Sequence, residues 1–271
     1  MYDVRFNKNG MEVLTNTMAK AYDEAGRISE VISDPINSRI KRDKDAGKVE
    51  DGKITMHNGI QIYSKSYGDL VERILVENRG VHEPQEEYVF DLILGKMQDG
   101  ASMIELGSFW AFYSLWFNFK VSGAKNYMIE PDPEYLKAGE ANFKLNGKTG
   151  KFFNYKIGSK TSGDTITVDD FMSLNDIHSL DILHCDIQGY ELEMLKGAEK
   201  ALAERRIDYL FISTHSNKLH YDCLDFLNEK GYKIISTADF ENESYCFDGI
   251  IVATRFTDFS PIDIGKRETI G

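Results

Sequence analysis

The sequence predicts an α/β fold with a mostly parallel seven-stranded sheet, preceded by a helix and a hairpin. From about residue 83 onward, short apolar runs alternate with helical patterns, which is typical of parallel strands joined by crossover helices. Only the short loop ADFENESYCFD separates the last two strands. Because this loop cannot contain a crossover helix, the C-terminal strand is expected to run antiparallel to its neighbour.

The first eighty residues are predicted to form an extension, and residues 81–271 the main domain. A helical pattern runs from about Met11 to Ile32, followed by the charged stretch RIKRDKDAGKVEDGK, which is typical of a solvated linker. KITMHNGIQIYS predicts two short strands around Asn58-Gly59, because both residues of this dipeptide tolerate the positive φ of a tight turn. We expect the extension to form a lid over the substrate or an oligomer contact.

The main domain is predicted to begin with a helix over residues 87–97. Strands are predicted at residues 102–106, 125–130, 151–157, 180–186, 208–214, 232–237 and 249–254. Between them, helices are predicted at residues 110–121, 133–146, 190–204 and 218–230.

The chain is acidic, with a net charge of -12 and a pI near 5.0. This balance argues against a nucleic-acid partner, which requires a basic face, and favours a neutral, cationic or small polar one. The cysteines Cys185, Cys223 and Cys246 form no CxxC pair, so neither a disulfide framework nor a zinc cluster is indicated. No apolar run is long enough for a membrane span, and a cytoplasmic location is expected.

Ligands of open α/β sheets bind at the carboxyl ends of the strands. Glu105 and Gly107 lie at that end of the first main-domain strand, and Glu130 ends the second. An acidic side chain there can accept hydrogen bonds from two ribose hydroxyls, which predicts an adenosine-type ligand. A dinucleotide would need glycines where Phe109 and Phe112 stand, so NAD and FAD are disfavoured, and no P-loop sequence is present.

S-adenosylmethionine carries no phosphate, so a single glycine turn is sufficient for it. Its carboxylate can be bound by backbone N–H groups at the start of the next helix. The aromatic residues after the turn have two interpretations, as cation–π partners of the sulfonium or as core residues, and the core interpretation is favoured for each one. These residues are Phe109, Trp110, Phe112 and Tyr113.

Three segments, ASMIELGSFWAFYSLW, MIEPDPEYLKAGEANFKLNG and TITVDDFMSLNDIHSLDILHCDIQGYELEMLKGAEKAL, resemble the FkbM-type S-adenosylmethionine-dependent methyltransferases. The third segment is the most specific, with Asp186, Gly189, Glu191 and the run from Leu195 to Ala198. The resemblance covers residues 83–252. It implies a Rossmann-like class I methyltransferase fold, S-adenosylmethionine as cofactor, S-adenosylhomocysteine as product, and O-methylation of a hydroxyl on a sugar, glycan or secondary metabolite.

Three positions depart from the family pattern. Phe109 and Ala111 stand where the family has an asparagine and a second glycine, and Gln188 replaces an acidic residue. The first two departures leave open a non-catalytic binding module that has lost the cofactor, and binding of S-adenosylhomocysteine distinguishes the two hypotheses. The same bulky positions disfavour an NAD-dependent oxidoreductase, and Gln188 weakens any two-carboxylate or metal argument.

Methyl transfer to a hydroxyl requires alignment and removal of a proton. Asp186 after the fourth strand, His215 after the fifth, and Glu191 are the predicted catalytic residues. Each has a structural alternative: a helix cap for Asp186, a satisfied structural histidine for His215, and a charge favoured by the helix dipole for Glu191. A metal ion held by Asp186 and His215 is disfavoured, and no metal ligand is assigned.

The resemblance and the strand topology together predict the cofactor site. Its predicted residues are Glu105, Gly107, Ser108, Phe109, Glu130, Pro131, Asp132, Gly158, Ser159 and Asp186. The acceptor is expected to be a small molecule or a glycan. A homo-oligomer is left open.

Overall fold

The structure is a computed structural model and describes residues 25–267. It begins in a helix, α1 (residues 25–33), which agrees with the end of the helix predicted from Met11 to Ile32. The part of that prediction before residue 25 lies outside the described residues. Whether residues 1–80 form a unit of their own stays a prediction.

The main sheet has seven strands in the order β11-β12-β10-β9-β4-β5-β6. All neighbouring pairs are parallel except those of β12, which runs antiparallel to β10 and to β11. This confirms the predicted Rossmann-like, mostly parallel seven-stranded sheet with an antiparallel C-terminal strand. The strands are β1 Val49–Glu50, β2 Lys53–Thr55, β3 Gln61–Tyr63, β4 Ser102–Leu106, β5 Lys125–Ile129, β6 Lys151–Phe153, β7 Lys156–Ile157, β8 Thr165–Ile166, β9 Leu180–Cys185, β10 Ile207–Thr214, β11 Lys233–Ala238 and β12 Gly249–Thr254.

Helices cover both faces of this sheet and enclose two apolar clusters, one on each side. The strands are almost entirely buried, as expected for a parallel sheet between helical layers. The remaining helices are α2 Asp69–Glu77, α3 Pro84–Leu94, α4 Phe112–Lys120, α5 Pro133–Leu145, α6 Val168–Leu174, α7 Glu191–Gly197, α8 Glu199–Ala203 and α9 Asn217–Glu229, with a 3-10 turn at Pro35–Ser38.

The predicted hairpin is present as β2 and β3, with Thr55 opposite Gln61. The connection between the two strands is longer than the expected two-residue turn. A two-residue turn of the predicted type needs a positive φ at both Asn58 and Gly59, and only Gly59 has one, of 84°. Asn58 contributes through its side chain, whose oxygen accepts a hydrogen bond from the backbone N–H of Ile60. β1 extends the hairpin to three strands.

Two predicted elements are divided in the structure. The strand over residues 151–157 splits into β6, in the main sheet, and β7, which pairs with β8 in a small separate sheet. The helix over residues 190–204 splits into α7 and α8 at Gly197, where a side chain would lie 2.2 Å from the carbonyl oxygen of Gly158. α8 begins anew because the carboxylate of Asp169 accepts hydrogen bonds from its first N–H groups.

α3 begins three residues earlier than predicted. Pro84 occupies its first turn, where a missing N–H costs nothing. The consequence is that the first turn, including Glu86 and Glu87, is buried beneath the carboxyl edge of the sheet. A buried pair of acidic residues at a helix start was not expected from the sequence.

His220 of α9 is buried between two strands. Thr214 lies 2.8 Å from its Nδ1 and Thr237 2.9 Å from its Nε2. Burial lowers the pKa of His220 to about 4, while the unfolded chain binds a proton near pH 6.5. Because the unfolded state then binds more protons, we expect the free energy of unfolding to fall by about 1–2 kcal/mol between pH 6.5 and pH 5.

Urea unfolding at a series of pH values measures this loss. His220→Gln should reduce the loss in that pH range, whereas the same change at the exposed His178 should leave it unaltered. Equal pH profiles for the wild type and His220→Gln would contradict the prediction.

None of the helices between residues 25 and 267 has both the length and the apolar composition needed to cross a bilayer. The cytoplasmic location and the homo-oligomer stay predictions.

Candidate active site

A cavity of about 930 Å³ lies at the carboxyl edge of the main sheet, a volume typical of small-molecule sites. Segments that follow β4, β5, β7 and β9 line it, together with residues that precede α2 and α3. Asp132 is the one predicted cofactor residue that does not line it. The predicted residues that do are Glu105, Gly107, Ser108, Phe109, Glu130, Pro131, Gly158, Ser159 and Asp186.

Gly107 makes the turn between β4 and the cavity, with a φ of 72°. Its N–H donates to the carbonyl oxygen of Ile129 at 2.9 Å, which fixes the turn against the end of β5. A side chain at this position would place its Cβ 1.8 Å from the backbone oxygen of Asp186. Only glycine allows the β4 turn and the end of β9 to approach this closely.

The loop after Gly107 keeps a left-handed backbone at both positions that depart from the family pattern. Phe109 has a φ of 44° and Ala111 a φ of 58°. Asparagine and glycine adopt this conformation readily, whereas other residues pay roughly 1–2 kcal/mol for it. The loop therefore retains the backbone path that the family pattern favours, despite its bulkier side chains.

Glu130 follows β5 and holds this loop. Its Oε2 accepts a hydrogen bond from the N–H of Phe109 at 3.1 Å, and its Oε1 accepts one from Asp132 at 2.9 Å. Burial raises the pKa of Glu130, although these two hydrogen bonds oppose the shift. A carboxylate oxygen has two lone pairs, so each oxygen can accept a further hydrogen bond from a ligand.

Asp132 lies outside the cavity lining, and its predicted contact with the cofactor stays a prediction. Its Oδ1 accepts hydrogen bonds from Glu134 and Tyr135, which makes Asp132 the N-cap of α5. The side chain is exposed and turned to the helix start because the unpaired N–H groups there attract it.

Aromatic side chains form one continuous wall of the cavity, which we call the aromatic wall. The ring of Tyr67 stacks on Trp110 with centroids 5.2 Å apart and meets Phe109 edge-on at 4.5 Å. Phe109 also lies 4.0 Å from Tyr135. Phe112, by contrast, is a core residue. The preferred core interpretation is thus right for Phe112. Trp110 and Tyr113 belong to the same buried cluster and also line the cavity, as does Phe109, which packs against that cluster.

Glu105 lies inside β4 and forms part of the cavity floor rather than its rim. Its Oε2 accepts a hydrogen bond from the N–H of Ser114 at 3.0 Å. Burial raises the pKa of Glu105 to about 7, against the opposing effect of His184. Near neutral pH the carboxyl group is therefore partly protonated.

Of the three predicted catalytic residues, only Asp186 lines the cavity. His215 lies behind it, and both ring nitrogens are engaged: Nδ1 is 3.0 Å from Glu191, and Nε2 is 3.2 Å from Asp186 and 3.0 Å from Asp248. Burial would lower the pKa of His215, but its carboxylate neighbours raise it to about 10. A ring with this pKa is protonated at neutral pH and would have to lose that proton before it could act as the expected base, so the catalytic role of His215 stays a prediction.

Glu191 is fully buried and also lies outside the cavity lining. Its Oε1 accepts hydrogen bonds from the N–H groups of Ile187 and Gly189. Glu191 therefore fixes the loop between β9 and α7 and holds His215, rather than reaching a cofactor or an acceptor.

Two groups of side chains have ligand atoms within 4.8 Å of one another, as a metal site requires: Asp186, Glu191 and His215, and Glu83, Asp186 and Asp248. The first group provides two carboxylates and one imidazole nitrogen. The second group provides three carboxylates, half of the octahedral oxygen set that Mg²⁺ prefers. We assign no metal to either group.

A further set of cavity residues was missed by the sequence analysis: His82, Glu83, His184 and Ser213. The acidic residues at the start of α3 connect them. Glu86 lies 2.6 Å from Nε2 of His184 and accepts a hydrogen bond from Ser213. The only hint in the sequence is VHEPQEE, residues 81–87, whose acidic residues are ordinarily explained by the helix dipole.

Solved structures similar to this chain include precorrin-6y C5,15-methyltransferase from Geobacter metallireducens GS-15, with 15% identity, a TM-score of 0.44, and coverage of 62% of this chain and 88% of that one. Ribosomal protein L11 methylase from Lactobacillus delbrueckii subsp. bulgaricus has 13% identity, a TM-score of 0.45, and coverage of 65% and 80%. The N-terminal domain of human METTL16 in complex with SAH has 14% identity, a TM-score of 0.45, and coverage of 64% and 69%.

None of the curated proteins matches this sequence. Residues 152–234 match the sequence model of the Methyltransferase FkbM domain. The matched residues include the third and most specific of the three segments described above. Over these residues the chain is similar to the FkbM methyltransferase domain.

Proposed function

We propose that the protein is an S-adenosylmethionine-dependent O-methyltransferase that methylates a hydroxyl group of a sugar, a glycan or a secondary metabolite. The observation that carries the proposal is the Gly107 turn, which lies against the end of β9 and beside the Glu130 carboxylate in one cavity. The FkbM match is independent support.

The cavity residues fit the cofactor in three respects. Glu130 retains acceptor capacity for the two ribose hydroxyls. The hydroxyl of Ser108 is buried and has no hydrogen-bond partner among the described residues, which is consistent with an absent polar ligand. Gly158 and Ser159 line the same cavity and are the residues expected to contact the adenine base.

When bound, S-adenosylmethionine supplies the methyl group: a C–O bond forms to the acceptor, the C–S bond breaks with its electron pair left on sulfur, and the hydroxyl proton passes to a carboxylate. The chain's own residues align the acceptor and accept that proton. Asp186 lines the cavity and is ion-paired with His215.

A hydroxylated ring suits the rest of the cavity. The aromatic wall gives a flat apolar surface for the C–H face of such a ring, and tyrosine and tryptophan can pair that surface with polar contacts. Glu83 and Asp186, which also line the cavity, accept hydrogen bonds from hydroxyl groups. This combination favours a sugar or a related polyol over a wholly apolar acceptor.

Calorimetric titration with S-adenosylhomocysteine tests the cofactor assignment. Glu130→Ala should weaken binding by about 1–3 kcal/mol, the cost of leaving buried polar groups unpaired. The matched control is Glu134→Ala, since Glu134 is exposed on the helix that follows, and it should bind as the wild type does.

Absence of binding in the wild type would favour the non-catalytic binding module. If the product binds, transfer of a labelled methyl group to a panel of sugars and amines identifies the acceptor class. Methylation of amines alone would contradict the O-methylation proposal.

A further inference from the structure

Five carboxylates line the cavity: Glu83, Glu105, Glu130, Asp186 and Glu193. Three of them have other tasks. Glu130 holds the glycine-turn loop, Glu105 is in the floor, and Glu193 binds Ser159 and Lys196. Glu83 and Asp186 remain as groups that can face a bound acceptor.

Glu83 is held at one oxygen only. Its Oε2 accepts a hydrogen bond of 2.6 Å from the hydroxyl of Tyr113 and lies 3.2 Å from Nε2 of His82. Its Oε1 receives no hydrogen bond from any residue in the described part of the chain. The carboxylate is thus oriented by two partners and keeps one oxygen available.

Glu83 and Asp186 both border the aromatic wall: burial raises the pKa of the Tyr67 hydroxyl, and the charges of Asp186 and Glu83 raise it further. The ring of His82 lies 5.0 Å from Trp110 and 6.3 Å from Tyr67. The side-chain partners of Asp186 are Gln188, in the loop after β9, and His215, directly after β10. An acceptor ring on the aromatic wall would therefore have Glu83 beside it.

A chain of buried ion pairs stands behind Glu83. Nδ1 of His82 lies 2.7 Å from Glu87, whose other oxygen lies 2.9 Å from Nδ1 of His57. Burial would lower the pKa of His82, but Glu83 and Glu87 raise it to about 10. Burial raises the pKa of Glu83, but the positive charge of His82 and the hydrogen bonds from His82 and Tyr113 together lower it below its ordinary value, so Glu83 is ionised at neutral pH.

One oxygen of Glu83 lies within 4.8 Å of a carboxylate oxygen of Asp186, and the backbone of Asp186 touches the Gly107 turn. Glu83 is therefore close to the end of β9, the edge at which the aromatic wall and the cofactor region meet. This is where methyl transfer would occur in the proposed function.

We propose that Glu83 is the catalytic carboxylate whose Oε1 takes the proton of the acceptor hydroxyl, and that His82 is a positioning residue that fixes Glu83. This inference rests on the proposed function. In the proposed step the hydroxyl oxygen gains the methyl carbon and loses its proton, and that proton becomes the carboxylic hydrogen of Glu83. Glu87 and His57 hold His82 in place, so the hairpin segment supports the site from behind.

The test uses two cofactor analogues, S-adenosylhomocysteine and sinefungin. Sinefungin carries an ammonium group where the transferred methyl would be, so the ratio of the two dissociation constants reports the negative charge at that point. We expect the wild type to bind sinefungin more tightly than S-adenosylhomocysteine. Glu83→Gln should reduce this preference about tenfold, while its affinity for S-adenosylhomocysteine should stay within about twofold of the wild-type value. Glu83→Asp keeps the charge and should retain part of the preference.

Asp186→Asn is the matched comparison. If it removes the preference and Glu83→Gln does not, Asp186 is the carboxylate at the transfer point and the proposal is overturned. An unchanged ratio in both Glu83 variants overturns it as well. If the wild type binds neither analogue, the proposed function fails and this inference fails with it. If the wild type binds S-adenosylhomocysteine but the Glu83 variants leave the ratio of dissociation constants unchanged, only the inference about Glu83 fails.

The role of His82 has its own readout. The titratable groups around Glu83 come from several elements: His82, Glu86 and Glu87 on its own segment, Tyr67 before α2, Tyr113 on α4, His184 on β9, and Asp186, Cys246 and Asp248 at the sheet edge. His82→Gln should shift the loss of sinefungin preference to a higher pH, because Glu83 then gains a proton more readily. A lower affinity with an unshifted pH profile would mean that His82 is only structural.

Discussion

Replacing Gly107 with alanine is expected to abolish binding of S-adenosylhomocysteine and to destabilise the fold by more than about 4 kcal/mol, a loss seen only with defined structural causes. The added Cβ would lie 1.8 Å from the backbone oxygen of Asp186. Neither atom can move without separating the turn after β4 from the end of β9. The φ of 72° adds a further penalty for alanine.

Gly147→Ala is the matched control for this change. Gly147 has a similar φ of 64°, but no atom lies within 4 Å of the position that its Cβ would occupy. It should therefore lose only about 1–2 kcal/mol of stability and bind the product normally. Chemical denaturation and calorimetry measure both quantities, and an equal loss of stability in the two variants would refute the close-approach argument.

Replacing Glu87 with glutamine is expected to cost about 3–5 kcal/mol, as when one partner of a buried ion pair is removed. Glu87 is fully buried between His57 and His82. Burial alone would raise the pKa of Glu87, but the charges of the two histidines hold it well below its usual range. Its Oε1 also accepts the backbone N–H groups of His82 and Glu83. Glutamine keeps the size of the side chain and removes the charge.

The deficit of Glu87→Gln should depend on pH. The raised pKa of His82, about 10, stabilises the wild type fully below its unfolded pKa near 6.5, and this contribution is lost as the pH rises through 10. In Glu87→Gln the pKa of His82 is raised less, so this variant loses less stability as the pH rises. The difference in free energy of unfolding between the wild type and Glu87→Gln should therefore be smaller at pH 9 than at pH 6.

Denaturant unfolding at these two pH values measures the effect. Glu77→Gln serves as the control, because Glu77 is exposed and pairs only loosely with Arg73 at 3.8 Å; it should change the stability by less than about 1 kcal/mol. A deficit that grows with pH would contradict the proposed charge of His82.

The cofactor side of the candidate site was predictable because it depends on strand ends. Gly107 and Glu130 are neighbours in space since β4 and β5 are parallel and adjacent, and the carboxyl ends of such strands meet at one edge. Asp186 was found by the same argument, because β9 lies on the other side of β4. The alternation of strands and helices in the sequence contains this information.

The acceptor side was not predictable in the same way. Glu83 and His82 precede a helix, and Tyr67 lies in the segment before α2. They face the cavity only because those segments pack across the carboxyl edge of the sheet. His215 was found from the sequence, but its surroundings were not, because three carboxylates, from α7, from the residue after β9 and from the residue before β12, converge on its ring.

The sequence by itself determined the order of strands and helices, the antiparallel last strand and the glycine turn, because these depend on local periodicity and on which residues tolerate a given backbone conformation. Only the tertiary structure decided which ionisable groups are buried and paired. The Glu83, His82, Glu87 and His57 chain joins residues from the hairpin and from α3. Charge on a buried group depends on neighbours distant in sequence, and a one-dimensional pattern does not contain those distances.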